Sequence, residues 1–214
     1  MIRPSKILML LSLSLFTIPF CGVADMSPVP VVESVLLNQF PTQPAALART
    51  SESLFQEYEE TGNVSSLIFY SYGVLKQASY FSSVNDLIKA SEFAKTGFFY
   101  LDEAVDSNEK DLRIRYMRAR LDAYLTAELG RCVITISDTK LLLENKEKFS
   151  RGIVEHIKKM HVIALQNCKM HDQSSLSLIQ KDGRKPGVKV TADEAPLWSV
   201  EEVTQIMLPL VKGD

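Results

Sequence analysis

From residue 65 to residue 143 the chain carries apolar side chains at helical spacing, broken only by short polar turns, and a pattern of that kind is buried by stacking helix on helix. Its centre is the run Lys95-Thr-Gly-Phe-Phe-Tyr-Leu-Asp-Glu-Ala-Val-Asp106 followed by Asp111-Leu-Arg-Ile-Arg-Tyr-Met-Arg-Ala-Arg120. Two long helices turned back on each other fit this run, with a third after Gly130. Upstream, a helix capped by Ser65 or Ser66 and running to Phe81 has Leu67, Phe69, Tyr70, Tyr72, Val74, Leu75 and Ala78 around most of its circumference. That breadth predicts neighbours on several sides. Gly73, in its middle, costs up to about 1 kcal/mol relative to alanine, which fits another helix crossing closely there.

The remaining elements follow from stop and start signals. Val31 to Phe40 forms a short helix on Val32, Val35, Leu36 and Phe40, and Pro41 and Pro44 end it and open the next, Ala45 to Glu59. Gly62-Asn63 supplies a left-handed C-cap. Asn63-Val-Ser65 also matches a glycosylation acceptor, and the cap is the preferred reading. Ser83-Val-Asn-Asp86 reads as a capping box for a helix to Val105, Asp106-Ser-Asn108 as its turn, and Lys110 to Leu129 as the following helix, closed by Gly130. Cys132 to Asn145 and Lys148 to Met170 complete the bundle. Past His171 the periodicity dissolves, with room for one short extended piece at Val188 to Val190. Ser199-Val-Glu-Glu202 is a capping box that starts a terminal helix over Val200 to Val211, with Trp198 as a staple and Val203, Ile206, Met207 and Leu210 on the face that docks. The expected organisation is a segment 1–24, a proline-containing arm with a short helix over 25–44, a helical bundle over 45–171, an irregular loop over 172–198 and a C-terminal helix over 199–214 packed on the bundle. The fold class is all-α.

Residues 1–24 have the layout of a secretory signal peptide: a cationic start with Arg3 and Lys6, an apolar run from Ile7 to Phe20, and small residues before a cleavage point after Ala24. Ser12, Ser14, Thr17 and Pro19 interrupt the run, which is shorter than the roughly 20 residues of a membrane span. An uncleaved anchor and a lipid-modified Cys21 are the alternatives. Cleavage leaves Cys132 and Cys168, either a single disulfide of an exported protein or two buried thiols. Without Arg3 and Lys6, the 24 basic side chains become 22 against 26 acidic ones. A surface of about −4 does not suit nucleic acid, which requires a clustered positive field. The expected location is periplasmic or secreted, with no transmembrane span after cleavage.

The order Tyr72-Gly73, Lys95-x-Gly97-x3-Leu101-Asp102-x-Ala104-Val105, Arg115-Tyr-Met-Arg118 and Asp138 resembles a group of bacterial tetratricopeptide-like proteins of undetermined function. The resemblance covers residues 65–143 and implies antiparallel helical hairpins. The 83–105 helix exceeds one repeat helix, no proline follows Ala104, and no second register of the pattern is present. The expected form is therefore a compact tetratricopeptide-like bundle without a clear repeat array.

Arg113, Arg115, Arg118 and Arg120 are the sharpest charged cluster. At about 100° per residue, Arg115 and Arg118 lie near each other and Arg113 and Arg120 on another face. Arg115 and Arg118 are the pair that the resemblance marks. Asp102 or Glu103 on one side and Asp138 on the other are their expected carboxylates, since guanidinium holds carboxylate in two-point contacts. A half-buried ion-pair network and an anion-binding pocket are both open readings of these arginines. His156, His161, Cys168 and His171 do not share a helix face, so no metal site is expected. The aromatic residues from Phe69 to Tyr100 are core or the wall of a groove. There is no glycine-rich phosphate loop and no nucleophile-base-acid order, and no cofactor is expected. These features point to an exported binding or adaptor protein for a partner protein or peptide. The alternative is a small-ligand receptor or enzyme with an anion pocket near Arg115 and Arg118.

Overall fold

A computed structural model of the chain describes residues 29–169 and 197–213, which form eight helices and no strand among the described residues. The expected signal segment with Cys21, most of the 172–198 loop with its Val188–Val190 piece, and His171 lie outside the described residues.

Helix α1 (Val31–Asn38) belongs to the core rather than to an arm: Val32, Val35 and Leu36 are buried, and Phe40 packs on the cluster just beyond. Its N-terminus is capped from outside, because the Glu57 carboxylate accepts from the Val31 and Val32 amides at 2.6 and 3.0 Å and from the Ser66 hydroxyl at 2.8 Å. A carboxylate there satisfies orphan donors and meets the positive end of the helix. Helix α2 (Pro44–Thr61) starts with Pro44 in its first turn and ends at Gly62, whose φ of 69° is the left-handed cap expected from sequence.

Helix α3 (Val64–Ser83) is the central element, packing on α2, on α4 and on both terminal helices, as its broad apolar surface predicts. Asn63, not Ser65 or Ser66, caps it, accepting from the Ser65 amide; its side-chain amide donates to the Val211 carbonyl, tying the terminal helix to this junction. A Cβ on Gly73 would strike the Ser51 hydroxyl and come within 3.0 Å of Phe40, so α2 does cross α3 at this glycine. Helix α4 (Leu87–Asp106) is capped by Asp86 alone. Ser83 is the last residue of α3, and Asn85, at φ 62°, makes the turn, so no capping box forms. Gly97 gives the second close approach, its virtual Cβ lying 2.8 Å from Leu75 and 3.1 Å from the Ser71 carbonyl. Phe55, Tyr70 and Tyr100, from α2, α3 and α4, form one aromatic cluster with centroids 4.8 to 5.3 Å apart.

Helix α5 (Leu112–Asp122) is shorter than the helix expected to Leu129. Residues 116–125 are all buried, within α5 and past its end alike, so no solvent-facing side marks where the helix stops; it closes at Asp122, and a single 3-10 turn, Ala127–Leu129, leads to Gly130. Helix α6 (Cys132–Glu144) pairs with α7 (Arg151–Asn167), capped by Ser150, which buries Ile153, Ile157, Met160, Ile163 and Ala164.

The C-terminal helix α8 is continuous over residues 200–212: a first turn Val200–Glu202, a wider π segment Val203–Met207 and a last stretch Leu208–Lys212. Pro209 has no amide hydrogen, and its ring would meet the carbonyl four residues back, a clash the wider turn relieves. The expected Ser199/Glu202 capping box is present, and Ile206, Met207, Leu210 and Val211 are buried, so this helix is docked on the bundle. Trp198 reaches over to α3, with ring centroids 6.5 Å from Phe69 and 6.3 Å from Tyr72. No helix among the described residues is long and apolar enough to cross a membrane.

Candidate functional site

Three arginines and three aspartates from α4, α5 and α6 form one linked network. Arg118 donates to Asp138 through Nε and Nη2 at 2.8 and 2.9 Å and to Asp102 through Nη1 at 3.1 Å. Arg115 reaches the same Asp138 at 2.7 Å. Arg131, just before α6, clasps Asp102 from the other side at 2.7 and 2.8 Å, bonds Asp122 at 2.9 Å and lies on the Phe98 ring. Arg118, Asp122, Arg131 and Asp138 are buried, and Asp102 is about one third exposed. Each of the three guanidinium groups is engaged by at least one of the three carboxylates.

Electrostatics follow the contacts. Burial works against the charged form of Asp102, yet Arg131 and Arg118 outweigh it and hold its carboxyl below the usual range. Asp122 shows the opposite balance. Burial pushes it up to about 7 against the pull of Arg131, and its Oδ1 has no hydrogen-bond partner. Arg113, in contrast, turns back onto Asp111 at 2.8 Å near the surface.

A second buried network lies on the other side of α5. Arg120, expected on the outer face with Arg113, is 2 % exposed: it donates to Glu202 at 2.8 Å and is sandwiched between the rings of Tyr124 and Trp198 at 4.6 and 4.5 Å. Glu202 serves twice, completing the α8 capping box through Oε2 and accepting from Arg120 and the Tyr116 hydroxyl through Oε1. His156 stands 3.0 Å from the Tyr116 hydroxyl and 3.1 Å from Glu202. Burial disfavours the Glu202 carboxylate, but His156, Arg120 and the Ser199 amide hold its pKa down at about 2.

The structure thus brings Arg115, Arg118, Asp102 and Asp138 together and adds Arg131 and Asp122, which the sequence reading passed over; Arg131 precedes a cysteine at an element boundary, where periodicity gives no signal. Arg120 and Glu202 were also missed as partners, 82 residues apart, although the capping box pointed at Glu202. His161 contacts the Thr139 hydroxyl at 2.8 Å, far from the purpose of a ligand set, and no group of three His, Cys, Asp or Glu side chains among the described residues is arranged to hold a metal ion. Cys132 and Cys168 are joined in a disulfide, Cα atoms 5.7 Å apart, that ties the start of α6 to the end of α7.

Beside the Arg120 network is a groove of about 440 Å³ between α1 with its following loop, α3, α5 and Trp198. Phe69 and Tyr72, from the aromatic run flagged in the sequence, form its wall, while Tyr70 and Tyr100 belong to the packing between helices. Arg115 and Arg118 do not line it.

Compared with known protein families, curated proteins and solved structures, the chain matches none. What fold and site define together is an all-α bundle of helical hairpins with two buried charge networks and one aromatic groove.

Proposed function

We propose that this chain is an exported tetratricopeptide-like binding protein that holds a partner protein or peptide in the bacterial envelope. The observation that carries the reading is an uncovered apolar edge at the α3–α4 turn. Ile88 is 76 % exposed, Leu87 62 % and Val84 54 %, with Tyr80 beside them. Scattered surface apolar residues need no explanation, but Tyr80, Val84, Leu87 and Ile88, gathered where α3 turns into α4, support an interaction surface. An apolar partner helix or strand would cover it. The Cys132–Cys168 disulfide supports an oxidising compartment, in keeping with the layout of residues 1–24.

Two measurements test this. N-terminal sequencing of the protein from an envelope fraction should begin at Asp25, and a chain retaining its first residues in the cytoplasm refutes export. A photo-crosslinker at Ile88 should trap one discrete partner that Leu87→Lys abolishes. Adducts unaffected by that substitution refute the binding edge.

A further inference from the structure

We propose that the groove beside Trp198 is a binding site for a small aromatic acid, a flat apolar body carrying one anionic group. The inference stands apart from the partner-binding edge and does not depend on it. Six rings line the groove: Phe40, Phe69, Tyr72, Tyr80, Tyr124 and Trp198. Its volume of about 440 Å³ lies within the range of small-molecule sites, roughly 300 to 1,000 Å³.

Charge selects among the ligands such a cage could take. Aromatic cages often hold cations, but the lining residues here include Lys76 and Arg120 and no aspartate or glutamate. Arg120 is balanced by Glu202, so among the described lining residues the uncompensated charge a cationic guest would meet is that of Lys76. Lys76, half-buried with its ammonium 5.3 Å from the centroid of the Tyr72 ring, has no carboxylate partner among the described residues. It is the group placed to receive an anion at the wall of the groove.

Shape favours a ring over an acyl chain. Phe40 meets Tyr72 edge-on at 5.4 Å, and Trp198 meets Tyr72 edge-on at 6.3 Å, so the lining rings already pack edge to face, a packing that a further ring can join. Ser79, Ser83 and Gln39 add hydroxyl and amide groups to the lining. The two serine hydroxyls already donate to the Leu75 and Tyr80 carbonyls at 3.2 and 2.7 Å, so the preference for a ring over a chain rests on the aromatic walls.

Trp198 is the single tryptophan of the chain and lies in the groove, so its fluorescence reports on this site alone. Full-length protein is titrated with 2-naphthoate, 2-naphthamide and dodecanoate, following Trp198 emission and, in parallel, calorimetry. The expected result is saturable binding of 2-naphthoate with a Kd of about 0.1 mM, and binding of the neutral amide about tenfold weaker. Lys76→Met should remove that tenfold preference, Lys76→Arg should retain it, and Ser79→Phe, which adds bulk without a second tryptophan, should block both ligands while the protein stays folded by circular dichroism. Equal affinity for acid and amide, or an unchanged preference in Lys76→Met, overturns the anionic part. Tighter binding of dodecanoate overturns the aromatic part, and no saturable Trp198 response below about 1 mM overturns the site itself.

Discussion

Replacing Arg118 by methionine tests whether the α4–α5–α6 network holds the bundle together. The side chain is 9 % exposed and makes two charge-assisted bonds to Asp138, which is fully buried, and one to the part-exposed Asp102. Methionine fills much of the same volume, so the loss is electrostatic more than steric. Breaking one side of a buried pair costs about 3 to 5 kcal/mol because the remaining charge stays desolvated. Here the low end applies, since Asp138 keeps Arg115 at 2.7 Å and Asp102 keeps Arg131. A loss of about 3 kcal/mol in a chain of this size corresponds to a fall in Tm of about 6 to 12 °C. Calorimetry of the oxidised protein at neutral pH measures it. Asp138→Leu removes the same Arg118 bonds and also the Arg115 partner, so the losses of Arg118→Met and Asp138→Leu should be less than additive in the double variant, as a coupled pair requires. A fall of less than about 2 °C in the single variant, or additive losses in the double variant, refutes the claim that the network is a structural clasp.

Three further outcomes are expected. Gly97→Ala should lower the unfolding free energy by about 1 kcal/mol net, read from urea denaturation: overpacking against Leu75 and the Ser71 carbonyl costs about 2 kcal/mol, offset in part by about 1 kcal/mol of helix propensity. Reducing Cys132–Cys168, which closes a separation of 36 residues, should lower the unfolding free energy by about 4 kcal/mol in the chain-entropy account, read as the difference between denaturation curves with and without reductant. The folded pKa of Glu202, about 2, lies below the 4.5 of an ordinary glutamate, so its stabilisation is present above pH 4.5 and is lost as pH falls toward 2. Glu202→Gln should remove that part of the acid-side slope in Tm, about 3 kcal/mol in all.

Local signals carried far. Glycine at residues 62 and 73, the Ser199–Glu202 box and the helical stripes of α3, α7 and α8 all report events within one or two turns, or contacts that any close neighbour would impose, and these were legible from the letters. The Arg115, Arg118, Asp102 and Asp138 cluster was legible too, because three of its members lie on adjacent elements with matching charge.

Where α5 stops, and where Arg120 points, depended on things outside those segments. Periodicity assumes one solvent side, and residues 116–125 have none, within the helix or past its end at Asp122, so the pattern offers no edge from which to read the stop. Arg120 sits on the face that a lone helix would show to water, but α8 arrives there with Glu202 and Trp198 and makes it interior. The sequence alone determined an all-α chain with stacked amphipathic helices, because 3.6-residue spacing is written locally. Only the tertiary structure decided which charges are buried and where a groove is left open: the Glu202 contacts with Arg120 and Tyr116 join elements more than 70 residues apart, and even the Arg131–Asp102 contact, 29 residues apart, joins separate elements, so no local pattern encodes these meetings.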